Sequence, residues 1–273
     1  MKNWLNGAFA TCSFELRRSF TFQRTSVSLL LALFPPVMLS LLILGTEAAG
    51  GAQARSVLQD FAKLITILLV SLVCLLSVLL WATPNVYSEL EGKSWGFIAS
   101  RPGGRVALFL GKFFASFLVS YGISILAISL CVVLTKTRLG IGDPQGLWIA
   151  LSGIYFFGCI VYAAVFSFIG TLFIKRAMVV AAGYLVGSDI FLASIPGALV
   201  NKFTIRYHMQ EIGIHWLGWF LPAPSTEHEY RMMFGDGWHI SLHILVVILT
   251  TIVSLAVGAW IIVNREYITA DES

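Results

Sequence analysis

The sequence predicts an all-α, polytopic membrane protein with six transmembrane helices, and three observations support this prediction. Hydrophobic residues make up 58% of the chain and charged residues only 12%, whereas a soluble domain carries about 25% charged residues. The mean hydropathy is +0.84. Six apolar runs approach the roughly 20 residues that a helix needs to cross a bilayer. Because lipid offers the backbone no hydrogen-bond partner, each run is expected to be helical.

The six predicted spans follow one another along a single domain of residues 1–273. They are Val27–Leu44 (interrupted at Pro35-Pro36), Leu64–Val86, Phe113–Thr135, Gln145–Ile174, Ala177–Val200 and Ile240–Val263. Six spans return both termini to one side of the membrane. With cytoplasmic termini, eleven Lys and Arg residues lie inside and seven outside, in agreement with the positive-inside rule. We therefore expect a multi-pass protein of the inner (plasma) membrane.

Three segments outside the spans are long enough to have structure of their own. Residues 1–26 combine aromatic residues with Arg17, Arg18 and Arg24, which is typical of a helix lying in the membrane interface. The alternative is a basic flank that only fixes orientation. Residues 87–105 form a polar loop between spans two and three. Residues 201–239 form an extracytoplasmic helical segment, with a short helix predicted near residues 226–234 from a capping-box pattern.

The polar loop contains Gly92-Lys93-Ser94, which matches the end of a phosphate-binding loop. Such a loop requires a glycine five residues before its Gly-Lys pair, with a strand before it and a helix after it. Tyr87 stands at that position, beside a predicted span. We therefore expect no nucleotide site in this chain, and any ATP would be bound by another polypeptide.

The same loop has the composition of a contact surface. It carries two acids, an apolar patch and a basic turn, namely Glu89 and Glu91, then Trp95, Phe97 and Ile98, then Arg101-Pro102-Gly103-Gly104-Arg105. A short amphipathic helix ended by this turn would present a small docking surface to a cytoplasmic partner. The alternative is an ordinary interfacial loop whose basic residues only anchor the neighbouring spans.

The loop resembles the first cytoplasmic loop of type-2 ABC exporter permeases. That family commonly has an acidic pair one residue apart, an apolar run, Arg-Pro-x-x-Arg, and then Leu-Gly-Lys entering the next span. Here Glu89 and Glu91 match the acidic pair, Arg101–Arg105 matches the turn, and Leu110-Gly111-Lys112 matches the span entry. The sequence departs from the pattern at Lys93-Ser94, where the family usually has Gly-Thr. Phe14–Arg18 and Pro222–Met232 resemble the family's N-terminal and outer helices.

The resemblance implies a permease subunit rather than an enzyme. Two such chains, as a homodimer or with a related chain as a heterodimer, would pair in the lipid above two soluble ABC ATPase subunits, which would bind ATP and Mg²⁺. A coupling helix in the loop would transmit ATPase closure through the residues Glu89, Glu91, Trp95, Phe97, Arg101, Pro102 and Arg105. A periplasmic partner would suit the outer segment, and nothing indicates nucleic-acid binding. The sequence does not identify the cargo.

Asp189 is the one acid within an apolar run. A charge at mid-bilayer costs about 2.5–3.5 kcal/mol on insertion scales, so such a residue is a functional candidate. Gly183, Gly187 and Ser188 would let another helix approach closely, which favours a helix–helix hydrogen bond. The alternative is a polar group on a transport path, as in a proton-coupled secondary transporter.

All five histidines fall between residues 208 and 243. Imidazole and the nearby thioethers would suit copper or zinc, and His228, His239 and His243 are the candidate ligands for an outer-face metal-handling protein. His228-Glu229 lacks the second histidine of an HExxH motif, however, and no preformed ligand set is evident. We therefore expect an interfacial or solvated role for these histidines, and no metal or other cofactor in the chain.

Overall fold

The structure is a computed structural model that describes residues 2–47, 52–92, 94–140, 143–192, 199–217 and 238–267. This part of the chain is all-helical. We number its α-helices in chain order: α1 Lys2–Ser19, α2 Phe22–Glu47, α3 Ala52–Ala82, α4 Tyr87–Glu91, α5 Trp95–Ala99, α6 Gly104–Leu139, α7 Pro144–Leu172, α8 Ala177–Tyr184, α9 Ile205–Leu217 and α10 Ile240–Asn264. Short 3₁₀ helices cover Ile174–Arg176 and Leu199–Phe203.

Five helical stretches are long and apolar enough to cross a membrane, which supports the membrane prediction. They are Phe22–Gly45, Thr66–Glu91, Gly104–Leu139, Pro144–Leu172 and Ile240–Asn264. The stretch in α7 is 72% buried, while those in α2 and α10 are each 22% buried. Helix α7 therefore lies at the centre of the bundle, with α2 and α10 at its periphery.

The described part of the run predicted as the fifth span is helical, but among the described residues it does not give a sixth candidate span. The eight residues of α8 continue as a seven-residue π-helix, Leu185–Phe191. Residues 193–198 lie outside the described part of the chain, and the 3₁₀ turn Leu199–Phe203 follows. The count of six spans therefore stays a prediction.

Helix α2 runs through Pro35 and Pro36 without a break, so the predicted interruption of the first span is wrong. Proline removes a backbone donor and normally kinks a helix. Here Leu31 and Ala32 are buried in a cluster with Val73 of α3 and residues of α6. This packing holds the turn before the prolines in place, as neighbouring helices commonly do for proline in membrane helices.

Helix α1 lies against the start of α6. A Cβ at Gly111 would lie 2.6 Å from the Ala8 carbonyl oxygen, and a Cβ at Gly7 would lie 3.1 Å from Ala107 Cβ. The backbones therefore meet too closely for larger side chains. Opposite this contact, Phe9 and other large side chains of α1 stay exposed, as an interfacial helix requires.

The ends of several helices meet at one face of the bundle, which we call the loop face. It comprises α1, residues 83–103 and the C-terminal ends of α7 and α10. Arg105 Nη1, at the start of α6, donates to the Val263 carbonyl at 2.9 Å. Arg265 Nη1, just after α10, donates to the Leu172 carbonyl at 2.7 Å. These two arginines cross-link the ends of α6, α7 and α10.

Helix α9 lies within the segment predicted to be extracytoplasmic, yet it packs into the bundle. The Trp216 ring is 6.1 Å from that of Phe157 in α7, and Tyr207 and Ile212 are buried. Part of residues 201–239 is therefore buried against α7 rather than solvated. The predicted helix near residues 226–234 lies outside the described residues.

Candidate functional site

The candidate functional site is the segment 87–105 at the loop face, which we call the anchored loop. It contains the two five-residue helices α4 and α5 and the turn that leads into α6. Gly103 has a φ of 72°, a left-handed conformation that glycine adopts without a steric cost. A Cβ at Gly104 would overlap the Ile98 carbonyl oxygen. The turn therefore folds back tightly onto α5.

Trp95 fixes α5 to the bundle. Its side chain is 4% exposed, and its ring packs edge-on against Tyr267, with 4.9 Å between centroids. The Arg105 guanidinium lies 5.8 Å from the Trp95 ring centroid. Burial raises the pKa of Tyr267, so its hydroxyl stays protonated and donates to the Thr171 carbonyl at 3.2 Å. Trp95 thus holds the loop to the segment after α10 and, through it, to α7.

Other residues of the anchored loop face outward. Phe97 is 79% exposed, and Glu91, Arg101 and Pro102 are also exposed. The predicted contact residues therefore divide into an outward set, Glu91, Phe97, Arg101 and Pro102, and an inward set, Glu89, Trp95 and Arg105. Trp95, which was expected on the docking surface, is buried against the protein itself, and its part in contact with a partner stays a prediction.

Lys112 joins the anchored loop to α1. Its side chain is 4% exposed, and its ammonium lies 2.5 Å from Glu89 Oε1 and 3.5 Å from Glu15 Oε1. It also donates to the Asn85 carbonyl at 3.0 Å and to Ser88 Oγ at 2.6 Å. A buried charge needs such full compensation, because removing it from water costs several kcal/mol.

The Lys112 cluster is the part of the site that sequence reasoning missed. In the resemblance, Lys112 is only the last residue of the Leu-Gly-Lys motif that enters the third span, and Glu15 is only one residue of the N-terminal helix. Neither spacing nor periodicity links Glu15, Glu89 and Lys112, which come from three distant parts of the sequence. The Ser94 hydroxyl also donates to Glu89, so this carboxylate is an inward anchor rather than a partner contact.

Asp189 lies on the π-helix that follows α8 and is 1% exposed. The Tyr162 hydroxyl of α7 donates to Asp189 Oδ2 at 2.5 Å, and the Ser188 hydroxyl donates to Oδ1 at 3.2 Å. Arg206 Nη1 donates to the Asp189 backbone carbonyl at 2.9 Å. The expected helix–helix hydrogen bond is therefore present, and it joins the π-helix to α7.

Two histidines form a buried pair, which corrects the expectation of a solvated role for them. His208 and His243 are 2% and 0% exposed, with their Nδ1 atoms 2.9 Å apart. His208 Nε2 lies 2.9 Å from the Lys202 carbonyl, which can only accept, so this nitrogen carries the proton. In neutral His208, Nδ1 then accepts a hydrogen bond from His243. His239 instead is exposed and caps α10, and His228 lies outside the described residues.

Among the described residues, no group of three or more His, Cys, Asp or Glu side chains is placed to hold a metal ion. No protein-family model and no curated protein matches the chain. The anchored loop combines buried anchors, Trp95 and Glu89, with an exposed aromatic side chain, Phe97, and with the exposed charges of Glu91 and Arg101. It is therefore the best candidate for contact with another protein.

Proposed function

We propose that this chain is the permease subunit of an ATP-driven ABC exporter. A pair of such chains would stand above two soluble ATPase subunits, which bind ATP and Mg²⁺. The loop face would lie in the cytoplasm of a cell with the chain in its inner membrane. The observation that supports this proposal best is the division of the anchored loop, where Phe97 is exposed beside a fully buried Trp95.

Coupling to a motor requires a contact surface that moves together with the helices behind it. Trp95 packs on Tyr267, Arg105 bonds the end of α10, and Glu89 is ion-paired with Lys112 of α6. A force applied at the outward set would therefore reach α6 and α10 directly. Through Glu15 it would also reach α1.

The energies favour a loop that stays folded when it is pushed. Truncating a buried aromatic such as Trp95 typically costs about 3–5 kcal/mol, and breaking a buried ion pair by removing one partner costs a similar amount. An exposed aromatic such as Phe97 contributes little to the fold, yet becomes a binding anchor once a partner covers it. The exposed Arg101 would add registration and specificity more than affinity.

A paired comparison of variants tests the coupling role. The Phe97→Ala/Arg101→Ala variant removes outward groups only, so the chain should insert and melt normally. Pull-down of the tagged chain, followed by mass spectrometry, should show an ABC ATPase with the wild type. We expect about tenfold less ATPase with the variant, as for loss of a binding hot spot.

Phe173→Ala/Lys175→Ala is the matched control, since it removes an exposed aromatic and an exposed cation of the same face outside the anchored loop. It should retain the ATPase. The proposal fails if both double variants retain it equally, or if the purified wild-type chain transports without any ATPase.

A second candidate function is proton-coupled secondary transport, and the Asp189 site favours it. Single-turn π segments in helices occur frequently at functional sites, and ionisable groups within the membrane often mark proton routes. Here the two features coincide, because Asp189 lies on the π-helix and bonds Tyr162. Transport that survives ATP depletion but stops when a protonophore is added would favour this function over the exporter.

A further inference from the structure

A half-open cavity of about 650 Å³, lined by both charged and apolar side chains, lies at the loop face, between the α1–α2 turn and the facing ends of α3 and α6. Its lining includes Arg18, Gln23, Arg24, Trp81, Glu91 and Ser116. It is separate from the outward set that would contact an ATPase, except that Glu91 lies at its edge. The proposed exporter function leaves the cavity without a role.

The cavity is rich in hydrogen-bond donors. The Arg18 and Arg24 guanidiniums approach Glu15 only at 3.6 and 4.0 Å, and a guanidinium has five donors. The Arg24 guanidinium also lies 5.1 Å from the Trp81 ring centroid. Trp81 Nε1 is buried and has no hydrogen-bond partner in the described part of the protein. A phosphate group has the acceptor oxygens that these donors would satisfy.

The charges of the cavity match a group that is both anionic and cationic. Its lining carries three cations, Arg18, Arg24 and Lys112, and two carboxylates, Glu15 and Glu91. Lys112 is already compensated by Glu89, and Arg18 and Arg24 share Glu15. Glu91 is exposed and ion-paired with no described residue. A phosphate bound near the two arginines would balance their excess positive charge. An amine bound near Glu91 would balance the charge of its carboxylate.

The position of the cavity matches the headgroup region of a bilayer. Phe20, in the turn between α1 and α2, and Phe22, the first residue of α2, are 80% and 91% exposed, and apolar side chains beside basic residues insert at the boundary between headgroups and acyl chains. Val27 lines the cavity, and Leu30, one turn further along α2, is 70% exposed. Acyl chains could therefore follow α2 into the lipid while the headgroup occupies the cavity.

We propose that this cavity binds a membrane phospholipid whose headgroup carries a phosphate and a primary amine, as phosphatidylethanolamine does. The phosphate bonds Arg24, Arg18 and Trp81 Nε1, and the ammonium donates to Glu91. A quaternary ammonium has no N–H to donate, and a glycerol headgroup has no cation, so the site discriminates against both. The inference requires only that the chain spans a membrane and does not depend on an ATPase partner.

Native mass spectrometry of the full chain tests this inference. The protein is equilibrated in nanodiscs with equal amounts of phosphatidylethanolamine, phosphatidylcholine and phosphatidylglycerol, then released. We expect one retained lipid, with the amine lipid preferred by about fivefold, as a single charge-assisted hydrogen bond allows. Arg18→Gln/Arg24→Gln should lower retention of every lipid, and Glu91→Gln should remove the preference alone.

Arg17→Gln is the matched control, because Arg17 is exposed on α1 and does not line the cavity. The inference is overturned if it lowers retention as much as the double variant does. Lipid retention without selection among the three lipids overturns it as well. Soluble phosphoethanolamine is added in a further arm, and displacement of the lipid by it at equal concentration would assign the cavity to a soluble ligand. Because Glu91 is exposed, Glu91→Gln tests selectivity even if the arginine variant does not fold.

Discussion

Two buried charges, Lys112 and Asp189, are compensated in different ways. Lys112 is surrounded by carboxylates and hydrogen-bond acceptors from α1, from α4 and from the segment leading into α4. Asp189 is bonded instead by the neutral hydroxyls of Tyr162 and Ser188, while Arg206 bonds its backbone. At Lys112, oppositely charged side chains join separate helices. At Asp189, uncharged hydroxyl groups hold a single carboxylate.

The difference indicates which site can change during function. Breaking the Lys112 cluster would leave a buried charge uncompensated, which is strongly unfavourable. A carboxylate bonded by hydroxyl groups loses less when one partner moves, because a single hydrogen bond to a charged group contributes about 1.5–3 kcal/mol. We therefore expect Lys112 to be structural and Asp189 to be the more adaptable group.

Lys112→Met gives the largest expected effect, because it leaves Glu89 and Glu15 facing each other without their shared cation. The free energy of unfolding should fall by about 3–5 kcal/mol, measured by chemical unfolding in detergent. Lys136→Met is the control, since Lys136 is exposed at the other end of the same helix, and it should change little. Equal stability of the two variants would remove the structural role of Lys112.

Tyr162→Phe should have an intermediate effect. It deletes the hydroxyl that donates to Asp189 at 2.5 Å, and hydrogen bonds to charged groups contribute about 1.5–3 kcal/mol. Tyr121→Phe is the control, because the Tyr121 hydroxyl makes only a 3.4 Å contact with the Ser152 carbonyl. Thermal melting of both variants checks the ranking, and a smaller loss for Tyr162→Phe than for Tyr121→Phe would contradict it.

Asp189→Asn should have the smallest effect on stability, below about 1 kcal/mol, because the amide oxygen still accepts from Tyr162. Asp189→Leu removes the acceptor and strands a buried hydroxyl, which should cost about 1–3 kcal/mol more. The two variants are compared by the same melting assay. If Asp189→Asn is as damaging as Lys112→Met, Asp189 is structural and is not the more adaptable of the two groups.

Five of the six predicted spans coincide with helices long enough to cross a membrane, because each consists of a long apolar run and lipid permits few alternatives to a helix. It also found Asp189, because an acid stands out within such a run. The Lys112 cluster could not be predicted, since its members lie in polar segments where charges are ordinary. Only the packing of α1 onto α6 brings Glu15 and Lys112 together.

The sequence also could not predict which side chains of the anchored loop face the bundle. In a five-residue helix the apolar pattern is too short to define a buried face, so Trp95 and Phe97 looked alike in sequence although one is buried and the other exposed. The contact between the two buried histidines was not predicted for a different reason. His208 and His243 lie on different helices, so helical spacing gave no signal of their contact.

The close contact between α1 and α6 has a mechanical consequence. Because Gly111 and Gly7 bring the two backbones into direct contact, α1 cannot slide or rise independently of α6. Its large exposed side chains would set how deep α1 settles in the lipid. Any thinning or stretching of the bilayer that shifts α1 would therefore tilt α6 as well, so this protein should respond to membrane thickness.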